Sequence, residues 1–68
     1  MEKENYGAPI ERGVIESIED EKYKVASFTR TGIVSPPIKS IANEILAPGD
    51  RVYFFLFADG DGLILSKM

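Results

Sequence analysis

Sixty-eight residues, a net charge of −3 and the absence of cysteine and histidine bound what this chain can be. The length gives one small domain, near the lower limit at which a core is buried without help. The missing residue types exclude disulfides, thiolate metal centres and structural zinc, so no metal or other cofactor is expected.

No apolar run approaches the roughly 18 residues of a membrane-spanning helix. The charged start Met1-Glu2-Lys3-Glu4-Asn5 has no apolar core behind it and does not read as a secretory signal. No membrane association is expected, and the default compartment is the cytoplasm. The charge is uneven: residues 1–21 carry −5, residues 22–43 carry +4, and residues 44–68 carry −2. So acidic a chain is a poor general nucleic-acid binder, whose affinity rests on neutralising phosphates, although the middle third is a local exception.

Residues 1–9 are expected to form a flexible leader, because Asn5, Gly7 and Pro9 disfavour regular structure and Tyr6 is the sole anchor. Residues 10–68 then form the single domain. Residues 12–18 read as a first strand, Glu19-Asp20-Glu21 as a charged turn, and residues 22–28 as a second strand. In that second strand Tyr23 and Val25 alternate with Lys22 and Lys24, which predicts one buried and one wet face. Thr29-Arg30-Thr31-Gly32 is a turn, and Ile33-Val34-Ser35 opens a third strand. Pro36-Pro37 removes two amide donors, so that strand must stop there or lie at an edge.

Ile38, Ile41, Ala42, Ile45 and Leu46 fall at helical spacing, with Ser40 placed to cap a helix start. One or two helical turns are predicted here; the alternative is an irregular apolar loop that plugs one end of a barrel. Pro48-Gly49-Asp50 then punctuates the chain. Six successive apolar residues follow from Val52 to Phe57, four of them aromatic, which is strong strand character. Asp59-Gly60-Asp61-Gly62 is a tight turn and Leu63-Ile64-Leu65 a returning strand. The fold class expected is all-β: a small five-stranded OB-like or SH3-like barrel with one short helical turn between strands three and four.

The succession Gly13-Val14-Ile15-Glu16-Ser17-Ile18, Tyr23-Lys24-Val25, Gly49-Asp50-Arg51-Val52 and Asp59-Gly60-Asp61-Gly62-Leu63-Ile64-Leu65 resembles the small OB-like barrels of bacteriophage tails, of the baseplate-assembly type. The resemblance implies a structural role in particle assembly, often as a trimer or ring, without catalysis. It also implies a virion-associated location if the chain is phage-derived. In the resembled pattern the valine after Gly-Asp points inward. Val52, Phe54 and Leu56 then face the interior, and Tyr53, Phe55 and Phe57 form an outward aromatic row.

No catalytic residue is expected. Without histidine or cysteine, proton transfer or nucleophilic attack would fall on Asp, Glu, Lys, Ser or Tyr, and the acids cluster in solvated turns. Asp59-Gly60-Asp61-Gly62 lacks the further oxygen ligands of a calcium loop. Three exposed aromatics make a patch of the size that marks an interaction site, so Tyr53, Phe55 and Phe57 are the candidates for a protein interface, by self-association or with a partner. The leader or the helical connection covering that row is the competing expectation. An alternative function is a single-stranded nucleic-acid-binding OB module using Lys22, Lys24, Phe28, Arg30 and Lys39, since bases stack on aromatics beside cations. A third is an SH3-like peptide-binding module with a groove lined by Tyr53 and Phe55.

Overall fold

The structure is a computed structural model and describes residues 9–68. Five strands form one mixed sheet: β1 (Glu11–Glu19), β2 (Lys22–Ser27), β3 (Lys39–Ser40), β4 (Arg51–Leu56) and β5 (Gly62–Lys67). Their order is β2-β1-β4-β5-β3. All neighbours are antiparallel except β3 and β5, which run parallel through Lys39↔Leu63 and Ser40↔Ile64. The leader expected over residues 1–9 lies, apart from Pro9, outside the described residues.

β4 is the middle strand of the five. β1, the longest, pairs with β2 from Gly13 to Glu19 and with β4 from Glu11 to Val14. The register shifts once between Ile15 and Ser17 on β1, and once between Tyr53 and Phe54 on β4. Each irregularity adds local bend and right-handed twist, so the sheet curls over its own inner face. That face carries Ile15, Val25, Val52, Phe54 and Ile64, all essentially removed from solvent. Ile38 and Leu46 complete the core, with Tyr23, Ala42 and Leu56 packed against it.

The helical turn expected between strands three and four is absent, and the described residues contain no helix. Backbone partners explain why. Tyr23 and Ile38 exchange both of their main-chain hydrogen bonds, and the Ile41 amide donates to the Ile64 carbonyl, so this segment stays extended between β2 and β5. Ser40 does use its hydroxyl locally, accepting from the Ala42 amide at 2.9 Å, but it closes a short turn rather than a helix. Ile41 and Ile45 remain exposed, whereas Ile38 and Leu46 are buried. The segment is an irregular apolar connection.

The third strand is also displaced, from residues 33–35 to Lys39–Ser40. Residues 33–35 run beside β2 but form only an isolated bridge, Ala26↔Val34. Ser35 supports this edge with both of its groups: its amide donates to the Val25 carbonyl, and its hydroxyl oxygen accepts from the Val25 amide. Pro36 and Pro37 offer no N–H to continue a ladder. The sheet therefore does not close on itself into the small barrel expected. Isolated bridges at Val34 and Ile38, rather than a strand ladder, link the two ends of the sheet.

Two positions carry the strain and the close packing. The β1–β2 turn has a two-residue loop, Asp20-Glu21, with φ of 50° and 65°. A type I′ geometry of this kind suits Asn-Gly, so two residues with Cβ atoms sit there at a cost. Gly13, by contrast, is required by space. A Cβ there would lie 2.5 Å from the Ala26 carbonyl oxygen and 2.8 Å from the Phe54 ring. Two opposite outcomes are predicted in urea unfolding. Gly13→Ala should lower stability by about 2 kcal/mol or more, through overpacking against backbone. Glu21→Gly should raise it by about 0.5–1 kcal/mol, by relieving the left-handed turn.

Candidate docking surface

The buried row on β4 fixes what its other face shows. With Val52 and Phe54 inside, Arg51, Tyr53 and Phe55 must point outward, because alternate residues of a strand face opposite ways. Tyr53 is 38% exposed and Phe57, just past the strand end, 36% exposed. Phe55 is half-buried and meets Phe57 edge-on, with ring centroids 5.2 Å apart and planes at 66°. Leu63 on β5 lies directly across from Phe55.

Phe55, Phe57 and Leu63 line an open groove of about 290 Å³, which Pro37, Lys39, Asp61 and Lys22 also line. Two of the three candidate interface residues, Phe55 and Phe57, therefore share this groove, while Tyr53 lies on the same face of β4 outside it. Two of the five candidate nucleic-acid residues, Lys22 and Lys39, border it. Coverage of the row by residues 1–8 is a possibility that lies outside the described residues. The connection expected to cover it contributes only Pro37, Ile38 and Lys39 at the groove's margin.

The other three nucleic-acid candidates lie elsewhere. Lys24 pairs with Glu19 at 3.4 Å. Arg30 is engaged by Glu11, donating through Nη2 to Oε2 at 2.7 Å and through Nε to Oε1 at 3.2 Å. Phe28 sits half-exposed at the end of β2, under the guanidinium of Arg51 at 6.0 Å from its ring centroid. The middle third's positive charge is thus dispersed around the molecule.

Arg12 and Arg51 are functional candidates that the sequence reading passed over. The Phe28 amide donates to the Arg12 carbonyl, and Arg12 pairs with Tyr53, so Phe28, Arg12 and Tyr53 lie side by side across three strands. The next outward row is Ala26, Val14 and Arg51. The signal was available: both arginines immediately precede an inward residue, Gly13 or Val52, and so share the outward phase of the aromatic row.

Among the described residues, Glu11 is the one buried carboxyl, at 6% exposure. Burial raises its pKa, but donors from Ser27, Arg30 and Thr29, together with the Arg30 charge, outweigh that and hold it below the ordinary carboxylate range. The Ser27 hydroxyl donates at 2.7 Å and the Thr29 hydroxyl at 3.0 Å. The Ser27 oxygen in turn accepts the amides of Thr29 and Arg30. This cluster ties the turn after β2 to the start of β1. Both Glu11 carboxylate oxygens accept hydrogen bonds within this cluster.

A depressed folded-state pKa contributes stability above the unfolded carboxylate value of about 4.3, and that contribution disappears as pH falls below it. Glu11→Gln should therefore cost roughly 1–3 kcal/mol at pH 7 and much less at pH 3. Urea unfolding of both proteins at the two pH values checks this.

In comparisons with protein-family models, curated proteins and solved structures, nothing matched this chain.

Proposed function

We propose that this chain is a non-enzymatic assembly module with an OB-like architecture, acting through protein–protein contacts made by the outer face of β4. The observation that carries the reading is the outward row of exposed Tyr53, half-buried Phe55 and exposed Phe57 beside Leu63, on a strand whose opposite face buries Val52 and Phe54. Aromatic side chains exposed as a group, next to arginine, have the composition of interface cores rather than of ordinary surface.

The pairing order supports the OB-like reading over the SH3-like one. β1 pairs with both β2 and β4, β5 runs parallel to β3, and bridges from residues 34 and 38 return to β2. That arrangement corresponds to a partly open five-stranded barrel. The phage-tail resemblance gives the assembly a context, a tail or prophage particle, and self-association is the simplest form of it. The nucleic-acid reading is weaker on this geometry. The five residues it would use are not gathered: Arg30 and Lys24 are held by carboxylates, and Phe28 does not line the groove that Lys22 and Lys39 border.

Sedimentation velocity at tens to hundreds of micromolar tests the proposal. The wild-type chain should sediment as an oligomer. Tyr53→Ser combined with Phe57→Ser should shift it to monomer while the strand signal in far-UV circular dichroism is retained. A wild-type chain that stays monomeric at high micromolar concentration overturns the self-association reading.

A further inference from the structure

We infer that the outward patch of Arg12, Arg51, Phe28 and Tyr53 docks the acidic β1–β2 turn of a second copy of this chain. The inference rests on the self-association reading above and names which surfaces meet. The patch spans two adjacent rows of the outer face, and the paired residues of those rows include no carboxylate. Arg12 and Arg51 form no ion pair among the described residues, although the chain as a whole is acidic. Arg51 is held over Phe28, so one guanidinium is already positioned beside an aromatic. Arginine and tyrosine together are the residue types that most often carry binding energy at interfaces.

The complementary surface lies at the opposite end of the same hairpin. Glu19 is neutralised by Lys24, which leaves Asp20 and Glu21 as the free carboxylates of the turn. Both are exposed, and neither forms an ion pair among the described residues. From Arg12 to Asp20 the chain runs along most of the nine-residue β1, roughly 25 Å at about 3.3 Å per residue. The two surfaces therefore cannot meet within one molecule. Between copies they can, either reciprocally in a dimer or head to tail in a ring. Matched opposite charges then set register and partner choice, while Tyr53 and its apolar neighbours supply the buried area. The strained Asp20-Glu21 pair, at a turn that favours Asn-Gly, has a use in this arrangement.

Sedimentation of the full chain and its variants at two salt concentrations tests the contact. Arg12→Glu with Arg51→Glu should raise the dissociation constant about tenfold or more at low salt. Asp20→Asn with Glu21→Gly should weaken association similarly while raising the unfolding midpoint, which separates a lost contact from a misfolded chain. A fourfold variant, Arg12→Glu, Arg51→Glu, Asp20→Lys and Glu21→Lys, should recover association to within about threefold of wild type, because the charges are exchanged rather than removed. Raising salt from 0.05 M to 0.5 M should weaken the wild type and leave the Asp20→Asn, Glu21→Gly variant much less affected. If the wild type is an oligomer that Tyr53→Ser with Phe57→Ser disrupts, but neither charge variant changes it, the aromatic docking reading stands and this contact is overturned. A wild-type monomer overturns both.

Discussion

The absence of a side chain at Gly13 sets the arrangement of everything outside it. Gly13 sits on the inner face of β1, and the Phe54 ring and Val25 close over it. Phe54 can occupy the core only because that space is open. Once it does, the pleat gives β4 no freedom: Val52 goes in with it, and Tyr53 and Phe55 go out. A slip of one residue would exchange those sets, placing a tyrosine hydroxyl in the core and Phe54 in water. The interior thus decides the composition of the exterior wall.

The same constraint explains what was legible in the sequence and what was not. Strands β1, β2, β4 and β5 announce themselves through alternation or apolar runs bounded by turn residues, and four of the five were placed within a residue or two at most ends. The facing of β4 was expected from the resembled barrels, in which the valine after Gly-Asp points inward, and Val52 and Phe54 are indeed buried. The third strand failed because Ile33-Val34-Ser35 has strand character, yet its continuation at Pro36-Pro37 has no amide to donate. The pairing with β5 was instead taken by Lys39 and Ser40, whose partners 24 residues downstream no local pattern could indicate. The helical period over residues 38–46 was real as a spacing, but backbone bonds to β2 and β5 override it. Propensity and periodicity describe what a segment favours alone, and here a sheet edge on each side offered more.

Charge was the least legible property. A run of +4 over residues 22–43 suggests a basic face, yet the fold distributes it. Arg30 is drawn to Glu11 by a carboxylate already held between two hydroxyls, and Lys24 to Glu19 across the hairpin. The two cations that do share a surface with aromatics and without acids, Arg12 and Arg51, come from outside that run. What groups them is strand register, which brings residues 39 positions apart onto neighbouring strands. Linear charge counts carry no such information, whereas the inward and outward phase of each strand does.

Small size links this surface to stability. A domain of 68 residues buries only about 60% of the surface its unfolded chain exposes, and it has no cysteine or zinc site to assist. Its main buried side-chain polar tie is the Glu11 cluster, which joins the turn after β2 to β1; β4 and β5 are held by their backbone ladders and apolar packing instead. Docking of the β4 face would act on that part of the molecule. A partner present at 100 times its dissociation constant adds about 2.7 kcal/mol to the folded state, comparable to what the Glu11 cluster supplies. Under the proposed self-association, the outer aromatic row would have two roles: it would select the assembled state, and assembly would in turn stabilise the strands that present it.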